Sequence, residues 1–162
     1  MKKEKSLDEW MTFISAQQKN SITRLHGIFR KQMEMTVLQE MEALGHPDFK
    51  IGQLVLLANI KNEGSISNDM AKHAQITKQA MNKVVHELKE KGYIFTEAHP
   101  SDRRALMIKF TERGKVFRYD LYCVVKRLRQ NYEDVVGVSE MQQFQNTLEK
   151  LVNAGMKHLP AH

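Results

Sequence analysis

Cysteine is almost absent from this chain of 162 residues; Cys123 stands alone. A single thiol excludes an internal disulfide framework and fits a reducing cytoplasm, the expected location. Proline is nearly as scarce, at Pro47, Pro100 and Pro160, so long stretches are free to be helical. Long apolar runs are missing too. The longest lies around Leu54 to Ala58, far below the ~20 residues of a membrane span, and no membrane partner is expected. No apolar stretch follows the lysines of the first ten residues, so no secretory signal is expected. There is no internal repeat, low-complexity tract, phosphate loop, hydrolase or kinase signature, or assignable Ser/His/Asp set, which argues against an enzyme. The histidines (26, 46, 73, 86, 99, 158, 162) lack ligand spacing such as His-x-x-x-His, and neither a metal nor a cofactor is expected.

What is present is a globular composition. Hydrophobic residues make up 41% and charged residues 27%, enough for one packed domain or a domain with a small appendage. The net charge of +6 suits a polyanionic partner such as nucleic acid. From Ser6 to Leu44 the sequence reads as one long helix or two in series, ended by Gly45, His46 and Pro47. A buried helix follows at Phe49 to Lys61, broken by Asn62 to Ser65. A short helix runs from about Ser67 to His73, with Ser65 or Ser67 as N-cap. Thr77 caps the most regular helix, whose stripe is Met81, Val84, Val85 and Leu88 and whose end is marked by Gly92.

Two alternating segments come next, Tyr93 to Ala98 and Ala105 to Phe110, joined by a short turn that carries Asp102, Arg103 and Arg104. In the second segment Leu106, Ile108 and Phe110 share one face. Thr111 then caps a helix to about Val136, apolar along Phe117, Leu121, Val124, Val125, Leu128 and Tyr132 and stopped by Gly137. Ser139 to Gln142 has a capping-box pattern and starts a last amphipathic helix through Met141, Phe144, Leu148, Leu151 and Val152.

A short helix, a tight turn, a second helix and a hairpin make a winged helix-turn-helix. In such modules the second helix presents its N-terminal side chains to the major groove. With the Met81 stripe buried, Lys78, Gln79, Asn82 and Lys83 point outward. Lysine suits phosphate or guanine, and Gln or Asn can pair with adenine. The bland reading is a solvated polar face. The hairpin shifts the balance. From Thr77 to Lys115 there are nine Lys/Arg against five Asp/Glu, an excess centred on the second helix and the tip. Arginine suits a narrow minor groove, and a nearby carboxylate can hold its guanidinium in place.

The stretches "ITKQAMNKVVHELKEKGYI" and "HPSDRRALMIKFTERG" resemble the recognition helix and wing of MarR-type transcriptional regulators. The shared pattern is Asp102, Arg103 and Arg104 at the tip, a strand, then Phe110, Thr111 and Gly114. The match spans roughly Phe49 to Lys115. The resemblance implies a mainly α, homodimeric winged-helix protein with a two-stranded wing, whose N- and C-terminal helices form the dimerisation region. It implies that Arg104 reaches the minor groove, that Asp102 orients it, and that Thr77 and Lys78 approach phosphates.

The expected organisation is an N-terminal dimerisation segment at 1–45, a DNA-binding domain at 46–115 and a C-terminal dimerisation segment at 116–162. The expected partners are an operator duplex, a second copy of the chain, and a small hydrophobic or aromatic effector in a cleft near the first helix, where methionines concentrate. Two departures stand out: Phe95, Thr96 and Glu97 replace basic residues common in the first wing strand, and Ser6 to Gln17 add about one short helix at the N-terminus. Cys123 reads as a buried small hydrophobe, since Tyr122 and Val124 beside it bring no charge to activate a thiol. The competing functional readings are a winged-helix module for protein–protein contact and, more remotely, a thiol enzyme on Cys123.

Overall fold

The computed structural model describes residues 6–19, 21–74, 76–99 and 102–154, and at 102–104 the backbone alone. The N-terminal helical stretch resolves into two. Helix α1, Leu7–Gln18, is started by Ser6 and Glu9, each side chain accepting from the other's backbone N–H. Helix α2, Ile22–Ala43, has its own cap at Ser21, whose Oγ accepts from the Arg24 N–H at 3.3 Å. Two independent caps make separate helices of a stretch that composition alone leaves ambiguous.

Helix α3 runs Ile51–Asn59, shorter at both ends than its apolar run. The segment after it holds strand β1, Ser65–Ile66, which the sequence reading did not anticipate. Helix α4 is Ser67–His73. Neither serine caps it; Ile66 occupies the cap position, and the Ser65 hydroxyl accepts from the Lys61 N–H at 3.0 Å. Helix α5, Lys78–Glu90, has the expected cap, Thr77 Oγ1 accepting from the Ala80 N–H at 3.1 Å.

Strands β2, Ile94–His99, and β3, Asp102–Phe110, form the wing. The antiparallel sheet has the order β1-β3-β2, so β1 adds a third strand beside the two-stranded wing. Its register sets Ser65 against Ile108 and Thr96 against Ile108 from the other side. Ile108 is fully buried and Phe110 half-buried, whereas Leu106, expected on the same face, is 49% exposed. A bulge at Ala98/His99 lies beside it and breaks the regular alternation.

Helix α6 is Glu112–Val136 and α7 is Val138–Ala154. One residue, Gly137, separates them at φ +87, a conformation that side chains resist. Helix α7 starts before Ser139, so the capping-box pattern lies inside it, and the Met141 N–H donates to the Gly137 carbonyl at 3.1 Å. Along α6, Phe117, Leu121, Val124 and Leu128 are buried; Val125 is 50% exposed.

The core sits in the winged helix and its junction with α2 and α6, around Met41, Leu57, Leu88, Ile108 and Phe117. Neither α1 nor α7 has a buried residue, and α2 has only Met41. Among the described residues, no helix is long and apolar enough to cross a membrane.

Candidate nucleic-acid interface

Helix α5 divides cleanly by side. Met81, Val85 and Leu88 are buried and Val84 is half-buried. Thr77, Lys78, Gln79, Asn82 and Lys83 are all exposed. The four side chains from Lys78 to Lys83 make no hydrogen bond or ion pair within the described residues. His86 lies on the same face, exposed, one turn past Asn82. The sequence reading missed it, although its i+4 spacing from Asn82 was visible. Glu90, also exposed, closes that face with a negative charge, so its basic and amide groups gather toward the helix N-terminus. Thr77 uses a lone pair in the cap, which leaves its hydroxyl proton to donate.

Several bonds hold α5 in place. Gln53, 2% exposed, donates to Glu87 Oε2 at 2.6 Å and ties α3 to α5. Lys89 Nζ donates to Thr96 Oγ1 at 3.1 Å, joining α5 to the wing. On the wing, Lys109 pairs with Glu97 at 2.7 Å. Two of the local lysines are therefore turned toward partners in the protein, and Thr96 and Glu97 are those partners.

The wing tip differs from the turn read in the sequence. Asp102, Arg103 and Arg104 belong to strand β3, and only residues 100–101 lie between the strands. His99 pairs with Asp102 and Ala98 with Leu106, so Arg103, Arg104 and Ala105 have no opposite residue in β2. The two arginines thus fall in a bulge. The side chains of Asp102, Arg103 and Arg104 lie outside the described residues, and so does any contact between them.

The Phe-Thr-x-x-Gly run after the wing has a structural cause. Thr111 donates through Oγ1 to the Gly92 carbonyl at 2.6 Å, and its N–H donates to the Tyr93 carbonyl at 3.1 Å. Gly114 packs against the same carbonyl; a Cβ there would meet the Tyr93 oxygen at 1.9 Å and Phe110 Cδ1 at 2.8 Å. Thr111 also caps α6, accepting from the Gly114 N–H at 3.1 Å. These residues latch α6 to the corner where α5 meets β2.

A buried polar group sits at the same corner. His46, 6% exposed, meets Tyr93 Oη through Nδ1 at 3.1 Å and Asp120 Oδ2 through Nε2 at 2.9 Å. Phe49 and Phe117 pack around Tyr93 with ring centroids 5.0 and 5.3 Å away. His46 follows α2, Tyr93 opens the wing and Asp120 is on α6, so one side chain joins the winged helix to the terminal helices. No local spacing announces it, since its partners are 47 and 74 residues away.

Cys123 is half-buried rather than buried. A hydrogen bond with Cys123 holds the Tyr119 phenol above its usual range. The Tyr132 phenol is also raised, by burial. Among the described residues no group of His, Cys, Asp or Glu is placed to hold a metal ion.

The profile of the MarR family matches residues 48–105. A transcriptional repressor of Mycobacterium tuberculosis, Rv2887, is 30% identical over 91 residues, which cover 56% of this chain and 66% of that protein. The aligned segment therefore spans just under two thirds of its length. Among solved structures, a crystal structure of MarR superposes with a TM-score of 0.71 at 20% identity, covering 83% of this chain and 90% of that one. A complex of MepR from S. aureus with DNA gives 0.68 at 20% identity, covering 83% and 98%. The family match falls on the region whose latch, wing and outward helix face are described above: over residues 48–105 the chain matches the MarR family.

Proposed function

We propose that the chain is a sequence-specific DNA-binding transcriptional repressor that binds a pseudo-palindromic operator as a homodimer. The observation that carries this reading is the outer face of α5. Lys78, Gln79, Asn82 and Lys83 are exposed, share one side of a helix anchored by α3 and the wing, and are engaged by no other described residue. In this reading Gln79, Asn82 and Lys83 meet base edges in the major groove, and Thr77 and Lys78 meet phosphates at the helix N-terminus. Arg103 and Arg104 reach the minor groove from the wing bulge, with Asp102 holding Arg104 in register. The repressor named in M. tuberculosis and the MepR–DNA complex support the assignment by likeness.

Segments 1–45 and 116–162 supply the dimer. Leu148, Leu151 and Val152 on α7 are 39, 58 and 76% exposed, an apolar stripe that a single copy leaves in water. A small hydrophobic or aromatic effector releases the operator. The test is selection of bound sequences from a random duplex pool, followed by titration of the best site at two salt concentrations. The expected result is a dyad with half-sites ~10 bp apart and affinity that falls steeply with salt. Absence of any duplex binding would turn the reading toward a protein–protein module.

A further inference from the structure

A cleft of about 1020 Å³ opens inside the winged helix, between α3, α4 and the first turns of α5. It is not beside the first helix, where the methionine distribution pointed. Each helix gives it one face: Val55 and Asn59 from α3, Met70 and His73 from α4, Ala80 and Val84 from α5, spaced by three or four residues. Met81 and Met107 complete an apolar floor with Met70, three unbranched thioether side chains that adapt to irregular ligands. Val55 and Ile76 line it while 50% and 40% exposed, so apolar surface is open to solvent there. The volume lies just above the roughly 300–1,000 Å³ typical of small-molecule sites.

The charges around the cleft choose among ligands. Its ionisable side chains are Lys61, Glu63, Asp69 and His73, all exposed, so they form its rim. None of the four side chains has an ion-pair or hydrogen-bond partner among the described residues. At that rim two carboxylates, Glu63 and Asp69, stand with one ammonium, Lys61, and one imidazole, His73. We propose that this cleft binds a small lipophilic cation, its aromatic body against the methionine floor and its ammonium toward Glu63 and Asp69. An aromatic acid of the same size is disfavoured by the same two carboxylates.

The cleft touches α5 through Ala80, Met81 and Val84, on a different face from Asn82 and His86. Ligand and duplex therefore do not compete for the same atoms. An occupant wedged between α3 and α5 alters duplex affinity to the extent that it prefers the arrangement of α5 that does not fit DNA. That second step rests on the DNA reading proposed above; binding to the cleft does not.

The experiment titrates the full chain, without DNA, with 1-naphthylmethylamine, 1-naphthalenemethanol and 1-naphthoate, followed by calorimetry. The amine should bind at least tenfold more tightly than the naphthoate. The double substitution Glu63→Gln with Asp69→Asn should bring the amine to within twofold of the alcohol. Val55→Trp, which fills the cleft from an exposed position, should weaken the amine and the alcohol at least tenfold. An unchanged urea midpoint will show that both variants stay folded. Failure of the amine to bind overturns the proposal. So does equal binding of amine and naphthoate, or amine binding that Val55→Trp leaves unaltered. Duplex anisotropy with and without the amine then tests the second step. A twofold or larger loss of duplex affinity supports it, and an unchanged affinity removes the regulatory role while the site stands. A chain that binds no duplex at all sinks the DNA reading and leaves the calorimetric result intact.

Discussion

The winged helix and the terminal helices differ in what their apolar faces touch. In the first, Leu57, Leu88 and Ile108 are fully buried, and the polar side chains drawn inside, Gln53 and His46, are bonded at both ends. In the second, Leu7, Ile22 and Val152 are 82, 76 and 76% exposed, although α1, α2 and α7 are regular and amphipathic. A short helix is marginal in water without a packed face, and contiguous exposed apolar surface marks an interface. The lesson is that one part of this chain closes on its own side chains, whereas the other leaves its apolar faces in water in a single copy. His46, Gly114 and Thr111 sit where the two meet, and they tie α6 to the corner between α5 and β2.

The largest effect that would break this contrast is in the core. Phe117→Ala removes the ring shared by His46, Phe49 and Tyr93 and should cost about 3–5 kcal/mol by urea denaturation. A cost below ~1 kcal/mol would mean that the winged helix is not packed against α6 at this junction. Next comes the outer stripe. Leu148→Glu, at a position 39% exposed in the single chain, should leave far-UV circular dichroism unchanged. It should also raise the dimer dissociation constant about a hundredfold, ~2.8 kcal/mol. A dissociation constant unmoved by Leu148→Glu would take α7 out of the interface.

Gly114→Ala should destabilise by about 1–3 kcal/mol, because its Cβ collides with the Tyr93 carbonyl rather than with a flexible side-chain end. A neutral result in the same melt would show that the corner relaxes freely. Asn82→Ala should weaken the selected operator by about 1–3 kcal/mol while the fold and the affinity for random duplex hold. Uniform weakening on both duplexes would demote Asn82 to a phosphate contact. The smallest effect is expected from Glu97→Gln, which removes an exposed pair with Lys109 and should change stability by under ~1 kcal/mol.

Most of the helices and the wing are legible in the sequence because their signals are local. Thr77 and Thr111 each announce a helix start, and Gly92, Gly45 and Gly137 each sit where a helix ends. The outward face of α5 follows from spacing alone, and so would His86. What the sequence hides is long-range. Strand β1 is two residues long and exists because β3 offers an edge, so no alternation could reveal it. The meeting of His46 with Tyr93 and Asp120 depends on three separate elements converging. Alternation marks strands only at Tyr93 to Ala98 and Ala105 to Phe110 and leaves Asp102, Arg103 and Arg104 to the turn between them, but the ladder to His99 carries Asp102 into β3. Thr111 and Gly114 stand in the family pattern, but their cause is long-range: the crowded Tyr93 carbonyl lies at the opening of the wing.

Sedimentation equilibrium of the full chain, at protein concentrations from nanomolar to tens of micromolar, tests the contrast most directly. The account predicts a single reversible transition to twice the 18.9 kDa chain mass, complete by low micromolar concentration. A mass of 18.9 kDa across the whole range, with α1 and α7 still helical by circular dichroism, would contradict it. The terminal helices would then stand without a second copy.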